Sequence, residues 1–352
     1  MIGTRLHMAR KAQDLSMQAL ASKVGLSANM IKKYEHNQSM PSSDVLLRLV
    51  HALDVDMAFL FRPVQAELKQ VEYRKKANTP ALLLKKITID VTNQAERWLH
   101  LKELWLNFPI TTYQLDYDFS KPITTMDDIE IIANELRDYW KLGINPIPNM
   151  IDFLESLGII VIISDVDNHD NKFDGLQAMI NDIPIIVISS HWTGDRQRFT
   201  LAHELGHLVL DKRLPKDMDI EKACNRFAGA FLLPKESLIQ EWGEKRTKIT
   251  PNELSFLKHE YGISMSAILY RVKDLHIITD SYHKNQSIRF RQKGWHKQEP
   301  DKPYPNEKTH LFEQLVYRAI AEDIISESKG AELLGISVHK LVQHQYFDAC
   351  GD

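Results

Sequence analysis

The chain contains 352 residues, enough for two or three domains that each bury a hydrophobic core. Its formal net charge of −3 excludes a surface that is basic throughout, so any nucleic-acid binding has to be confined to one local face. A hydrophobic content of 43%, only two cysteines, and the lack of a recognisable signal peptide or membrane-spanning apolar segment favour a cytoplasmic globular protein with no disulfide framework and no membrane partner.

Residues 1–63 have the apolar periodicity of a five-helix bundle, with helices predicted at 2–11, 17–23, 28–36, 42–53 and 55–61. Ser16 and Ser27 stand directly before two of these helices, where a hydroxyl can cap the first turn, and Gly25 makes the tight turn between them. The pattern Leu20-Ala21-x-x-Val24-Gly25-Leu26-Ser27-x-x-x-Ile31-x-x-Tyr34-Glu35, with Pro41 downstream, resembles the Cro/repressor-type (XRE) DNA-binding domains. A generic small helical bundle is the alternative interpretation.

The resemblance implies that the second helix of the helix-turn-helix enters the major groove of double-stranded DNA. The residues that we expect to contact DNA lie at or before the start of the two helices or on their outer face: Gln18, Ser27, Ala28, Asn29, Lys32 and Lys33. Asn29 has a side chain that can read adenine, whereas the lysines suit phosphates or simply a solvated helix face. One domain covers only a half-site, so we expect a homodimer on an inverted-repeat operator.

Residues 64–120 are predicted to form a helical connector. A short extended segment at 71–76 is followed by the breaker Asn78-Thr79-Pro80 and by a long helix at 82–105. The basic run Arg74-Lys75-Lys76 could add phosphate contacts, but a run of charge is more often a solvated face, and we favour that interpretation.

Residues 121–279 are predicted to form an α+β domain, with helices at 126–140 and 149–157 and strands at 158–163, 177–180 and 184–188. The strands suggest a small sheet that backs a helix at about 198–210. An edge strand of that sheet would let an extended peptide add on through backbone hydrogen bonds.

The predicted helix carries His203-Glu204-Leu205-Gly206-His207, which fits the H-E-x-x-H pattern of zinc hydrolases. Residues i and i+4 share a helix face, so both imidazoles can reach one metal ion, with Glu204 one step round the helix. Glu221, 14 positions after His207, begins a second amphipathic helix and is the predicted third ligand. The alternative is a buried helix whose two histidines have no metal-binding role.

The wider pattern resembles the ImmA/IrrE metallopeptidases, through Arg196-x-Arg198-Phe199-Thr200-Leu201-Ala202-His203-Glu204-x-Gly206-His207, Glu221-x-x-Cys224-Asn225-x-Phe227-Ala228 and Leu232-Leu233-Pro234. This resemblance implies a single Zn²⁺ held by His203, His207 and Glu221, a zincin-like domain, and Glu204 as the general base. Cys224 stands where the family more often has alanine, which places a thiol near the predicted metal. The donor that would stabilise the oxyanion stays open among His191, Tyr261 and Tyr270, and Asn225 is a candidate partner for a ligand side chain.

Residues 280–352 are predicted to be mainly helical, apart from a polar segment at 281–308 that suggests an exposed strand or loop. The stretch 328–337 has the spacing of a helix, a glycine turn and a capped helix. A second DNA-binding unit is conceivable there, but such helix pairs are common scaffolding, which is the interpretation we favour.

The sequence therefore predicts an α+β multidomain protein: a DNA-binding transcriptional regulator with a zinc-dependent endopeptidase domain. The expected substrate is the chain itself or a partner regulatory protein, such as a repressor or toxin encoded nearby. The alternative is a non-proteolytic repressor or antitoxin-like module whose metal domain only binds a partner or senses a signal.

Overall fold

The computed structural model of the protein describes residues 2–55, 57–61, 68–75, 79–166 and 173–346. Its N-terminal part is a bundle of the helices α1 (Ile2–Ala12), α2 (Met17–Val24), α3 (Ala28–Glu35), α4 (Ser43–Leu53) and α5 (Met57–Phe61). Ser16 Oγ accepts from the Ala19 amide and Ser27 Oγ from the Met30 amide, while Gly25 ends α2 with a φ of +67°. The capping serines and the turn glycine thus set the angle between α2 and α3, as the sequence predicts.

A four-stranded sheet with the order β1-β3-β4-β2 lies at the centre of the rest of the chain. Its strands are β1 (Lys69–Lys75), β2 (Ile160–Ser164), β3 (Phe173–Ile180) and β4 (Ile183–Ser189). β3 pairs antiparallel with both β1 and β4, and β2 runs parallel to β4. The strand β1 comes from the predicted connector and forms one edge of the sheet.

Each face of the sheet is covered by helices, because successive strand residues point to opposite sides. Ile186 and Ile188 of β4 belong to a core shared with α7 (Met126–Tyr139), α8 (Met150–Ser156), α9 (Gly194–Leu210) and α10 (Ile220–Leu232). Ile185 and Val187 belong to a second core, shared with α6 (Ala81–Leu104), α15 (Leu311–Ala321) and α16 (Glu327–Leu334). The helix α6 from the predicted connector and the C-terminal helices α15 and α16 therefore cover the face of the sheet opposite to the one that packs against α9.

A further helical cluster contains α11 (Lys235–Trp242), α12 (Pro251–Tyr261), α13 (Met265–Asp274) and α14 (Asp280–Gln292). The prediction of an exposed strand or loop at 281–308 is wrong over its first part, since α14 lies there. Phe290 is the buried residue of this helix, so the apolar periodicity that would have indicated a helix is missing. Thr279 Oγ1, which accepts from the Tyr282 amide, caps its start.

The segment before α15 returns to the start of α9. Glu307 is buried, pairs with Arg198, and accepts hydrogen bonds from the Met150 and Ile151 amides, each at 2.9 Å. The chain ends, within its described part, in α17 (Val338–Tyr346) after a left-handed turn at Gly335. Leu333 of α16 packs into the sheet core, which fits a scaffolding role for this helix pair. Every helix in the described part is too short or too polar to span a bilayer.

Candidate metal centre

The helix α9 presents His203 and His207 one turn apart on the side that faces α10. Leu201, Leu205 and Val209 of the same helix are fully buried in the core beneath the sheet, which fixes the rotation of α9. Both histidines are also buried, with 1% and 8% of their surface exposed. The pattern that orients the helix therefore holds the two imidazoles at the surface shared with α10.

The close approach of α10 depends on Gly206. A Cβ atom at this position would lie 3.2 Å from Phe227 Cδ1 and 3.3 Å from the Cα of Cys224, closer than side chains normally pack. Glycine lets the backbones of α9 and α10 approach, and this brings Glu221, on the first turn of α10, over the two histidines. Cys224 fills the contact with Gly206 and is fully buried.

The nitrogen and oxygen atoms of three side chains converge. His203 Nε2 lies 3.1 Å from His207 Nε2 and 3.4 Å from Glu221 Oε2, and His207 Nε2 lies 3.4 Å from Glu221 Oε1. A tetrahedral zinc with bonds of about 2.0–2.1 Å separates its ligand atoms by about 3.3–3.4 Å. The spacing therefore fits one such ion, with two imidazole nitrogens and one carboxylate as donors. The side chain of Glu221 is 62% exposed, so one side of the cluster opens to solvent.

Asn225 fixes the ring of His203. Its Oδ1 lies 3.0 Å from His203 Nδ1, so Nδ1–H donates to the amide oxygen and leaves Nε2 free for a metal. Burial lowers the pKa of His203 to about 2, and the neighbouring Arg74 and His207 act in the same direction. The imidazole is thus held in the neutral form that binds metals.

Glu204 is 2% exposed and lies between the two histidines in the sequence of α9.

The sequence leaves the residue that would stabilise the oxyanion open among His191, Tyr261 and Tyr270, and the structure gives each of them other contacts. Tyr261 is buried in the α11–α14 cluster, and the ring of Tyr270 packs against His283 at 5.2 Å. His191 is exposed after β4, and its backbone amide donates to Ser189 Oγ.

The structure places Arg74 differently from the sequence prediction. It was expected on a solvated face, but its Nη1 donates to Thr200 Oγ1 of α9 at 3.3 Å and its guanidinium lies 5.6 Å from the Phe199 ring. The pairing of β1 with β3 joins segments about 100 residues apart, and no local pattern indicates it. The side chain of Lys75 and the whole of Lys76 lie outside the described residues.

The expected DNA contacts lie together on the N-terminal bundle. Ala28 is half-buried, and the others are exposed on α2, at the start of α3 or along it: Gln18, Ser27, Asn29, Lys32 and Lys33. Behind them, the buried carboxylate of Glu35 on α3 pairs with Arg10 of α1 at 2.5 Å. This pair ties α3 to α1 and leaves the outer face of α3 free.

Two family comparisons cover separate parts of the chain. Residues 154–273 match the family described as IrrE N-terminal-like domain, and residues 6–60 match a helix-turn-helix family. A curated relative, the radiation response metalloprotease IrrE of Deinococcus radiodurans, is 37% identical in an alignment of 103 positions that covers 26% of this chain. The matched segment spans only 31% of the length of that relative.

Proposed function

The chain joins a helix-turn-helix domain to an IrrE N-terminal-like metallopeptidase domain, and from this pairing we propose a DNA-binding regulator that is also a zinc-dependent endopeptidase. The observation that carries the proposal is the convergence of His203, His207 and Glu221 at the spacing of a tetrahedral ion, beside the buried Glu204. If the two histidines had no metal-binding role, there would be no reason for a carboxylate from another helix to lie beside them.

Each residue of the site has a separate role in the proposed peptide hydrolysis. A zinc ion held by His203, His207 and Glu221 would supply Lewis acidity, which would activate water and polarise a carbonyl. Glu204 accepts the proton of the attacking water and returns it to the leaving amine. Asn225 keeps the His203 ring in one orientation and one tautomer. The exposed side of Glu221 leaves the cluster open to a peptide.

The strand β1 supports an extended substrate. It pairs with β3 on one side, and through Arg74 it lies beside the helix that carries Glu204. A peptide that adds to the outer edge of β1 by backbone hydrogen bonds would pass next to the cluster. We propose that the substrate is the chain itself or a partner regulatory protein, including a repressor or toxin encoded nearby, since fusion to a DNA-binding domain raises the local concentration of proteins at the same operator.

The DNA-binding half of the proposal assigns α3 to the major groove. Asn29 would read a base edge and the exposed Lys32 and Lys33 would hold phosphates, while a homodimer would cover the two halves of an operator. Lys32→Ala and Lys33→Ala should weaken binding to all sequences and reduce the salt slope, whereas Asn29→Ala should change sequence preference. Footprinting on the promoter of the protein's own gene tests this, and no protection even at low salt would refute it.

Metal content and cleavage test the enzyme half. Elemental analysis of the purified chain should find about one zinc per chain, and a His203→Ala, His207→Ala variant should lose it. Glu204→Gln should keep the zinc and abolish cleavage, because the amide cannot accept the proton. Mass spectrometry of the parent chain and of Glu204→Gln, each incubated with zinc and cell extract, detects cleavage of the chain or of a partner. Shortening that continues unchanged in Glu204→Gln would refute Glu204 as the base. Bound zinc without any Glu204-dependent cleavage would favour the binding-only alternative.

A further inference from the structure

We propose that Arg74 is a further catalytic residue of this site, whose guanidinium binds the oxygen of the scissile carbonyl and stabilises the negative charge that develops on it. The inference rests on the proposed peptidase function and assigns the oxyanion donor that the sequence leaves open.

The register of the sheet places the side chain of Arg74 on the side of α9. Arg74 is opposite Gly175, and Gly175 is opposite Ile188, which packs into the core on the α9 face of the sheet. Residues directly opposite each other on neighbouring strands point to the same face. Arg74 therefore projects from the sheet edge toward the helix that carries the metal ligands.

Gly175 leaves little distance between the sheet and α9. A Cβ atom at this position would lie only 2.7 Å from Thr200 Cγ2, so the helix approaches the strand backbone more closely than a side chain would allow. Arg74, the next residue across, can consequently reach α9. The lack of a side chain at Gly175 thus leaves room for the side chain of Arg74 beside α9.

Two contacts fix the guanidinium at the beginning of the ligand-bearing turn. Nη1 donates to Thr200 Oγ1 at 3.3 Å, and the group lies 5.6 Å from the Phe199 ring centroid. Thr200 precedes His203 by three positions and Glu204 by four, so these side chains are neighbours on one helix face. The guanidinium is therefore held on the face that presents the predicted base and the first metal ligand.

The charges that act on Arg74 include two carboxylates of the site, Glu204 and Glu221, together with Asp174 and Arg196. Burial lowers the pKa of Arg74, whereas the carboxylates of Glu204, Asp174 and Glu221 act in the opposite direction. An arginine stays charged under such conditions, and its planar group has five N–H donors, of which one bonds Thr200 among the described residues. Donors remain for a substrate oxygen.

The position also suits the path proposed for a peptide. A segment added to the outer edge of β1 would pass Arg74, whose side chain contacts the helix that carries His203 and Glu204. His203, His207 and Glu221 would hold a metal ion that polarises the carbonyl, and Glu204 would carry the proton, so the role still unassigned is that of an N–H donor to the carbonyl oxygen as it gains charge. Loss of one such donor typically costs about 10²–10³-fold in turnover.

The test uses the full-length chain loaded with Co²⁺, whose visible absorption reports binding without any turnover. The probes are N-phosphoryl-leucyl-tryptophan, which presents a tetrahedral anion, and acetohydroxamate, which binds metal without one. Arg74→Gln should weaken the phosphoryl dipeptide by about 100-fold, in line with the loss of one oxyanion donor. Its affinity for Co²⁺ should not fall, since the loss of a nearby positive charge does not disfavour a cation, and its affinity for acetohydroxamate should change far less than that for the phosphoryl dipeptide, since acetohydroxamate presents no tetrahedral anion.

Arg196→Gln is the matched control, because it removes another positive charge near Arg74. Arg196 is partly exposed, bonds Asp174 at 2.9 Å and stacks on Trp192. Its loss should change phosphoryl-dipeptide binding by no more than about threefold, as a screened charge does. If Arg74→Gln misfolds, Thr200→Val removes only the hydrogen bond that anchors Arg74, and it should also weaken the phosphoryl dipeptide selectively.

Equal affinity of the parent and Arg74→Gln for the phosphoryl dipeptide would overturn the proposal, and so would equal losses in the Arg74 and Arg196 variants. A parallel loss of acetohydroxamate or Co²⁺ would show a structural role instead. Should Thr200→Val be the variant that is measured, unchanged binding of the phosphoryl dipeptide would equally overturn it. A parent chain that takes up neither zinc nor Co²⁺ would refute the proposed function itself, which separates the two failures.

Discussion

At the scale of single residues, Asn225 fixes the orientation in which the His203 ring faces the metal site. We expect Asn225→Ala to weaken zinc binding by about 10–100-fold, because the ring loses the acceptor that fixes its orientation and tautomer. Asn225→Asp keeps an acceptor at the same place and should bind zinc at least as tightly as the parent. Competition with a chromogenic chelator measures both affinities. An Asn225→Ala protein that retains the parent affinity would show that the hydrogen bond has no part in metal binding.

Glu155 of α8 makes stability depend on pH. Burial, together with the nearby Asp152, raises the pKa of Glu155 to about 8, although the Leu311 amide acts in the opposite direction. The unfolded chain ionises this group near its model value of 4.5, so the folded state binds the extra proton between these two values. The contribution to stability is therefore fully present below about pH 4.5 and is lost progressively as the pH rises toward 8.

Glu155→Gln should remove this dependence, because the amide stays neutral at every pH. We expect the variant to match the parent near pH 4.5 and to exceed its free energy of unfolding by roughly 2–4 kcal/mol at pH 8.5. Urea unfolding at a series of pH values measures the difference. The exposed Glu241 of α11 gives the control variant Glu241→Gln, which should follow the parent throughout. A constant difference between Glu155→Gln and the parent at all pH values would contradict this explanation.

At the scale of elements, the contact between α9 and α10 positions the metal ligands. Gly206→Ala should lower the free energy of unfolding by about 1–3 kcal/mol and weaken zinc binding, since its methyl group would meet Phe227 and Cys224 at 3.2–3.3 Å and move Glu221 away. Gly229→Ala, in α10, is the matched control. Among the described residues its methyl group would meet Arg271 Cδ alone, at 3.4 Å, so the gain in helix propensity of about 0.8–1 kcal/mol should leave stability equal or higher. Thermal unfolding and chelator competition check both variants, and equal behaviour of the two glycines would contradict this role for Gly206.

Elements with local signals are the ones that sequence predicts well. Capping serines, the αL glycine and apolar periodicity mark α2, α3, α9 and α10, and the i, i+4 histidines require only a helix. The spacing also brings Glu221 and Asn225 onto one face of α10. By contrast, α14 has no buried stripe to indicate it, and β1 joins the sheet through pairings that no local pattern specifies. Arg74 was misjudged for the same reason, because its neighbours in space are about 125 positions away in the chain.

At the scale of the whole molecule, the DNA-binding bundle is attached directly to the helix behind the sheet. Arg5 of α1 pairs with Glu96 of α6 at 2.5 Å, and both side chains are fully buried. The guanidinium also lies 5.2 Å from the ring of Phe59 in α5. Since α6 covers the sheet face opposite α9, this pair connects the bundle to the layer that supports the metal cluster.

Removing one member of a buried ion pair leaves an uncompensated charge, which typically costs about 3–5 kcal/mol. We therefore expect Glu96→Gln to loosen the docking of the N-terminal bundle and to speed hydrogen exchange in α1 and along α6, while α9 and α10 stay protected by their own core. Replacing both charges, in Arg5→Met with Glu96→Leu, should restore most of the protection, because no charge is then left buried. Hydrogen exchange measured by mass spectrometry on the full chain resolves these helices. If Glu96→Gln exchanges like the parent in α1 and α6, the ion pair does not hold the bundle in place. If α9 loosens together with α1, then the bundle, the sheet and the metal cluster unfold as one cooperative unit, and the proposed independence of the α9 and α10 core is wrong.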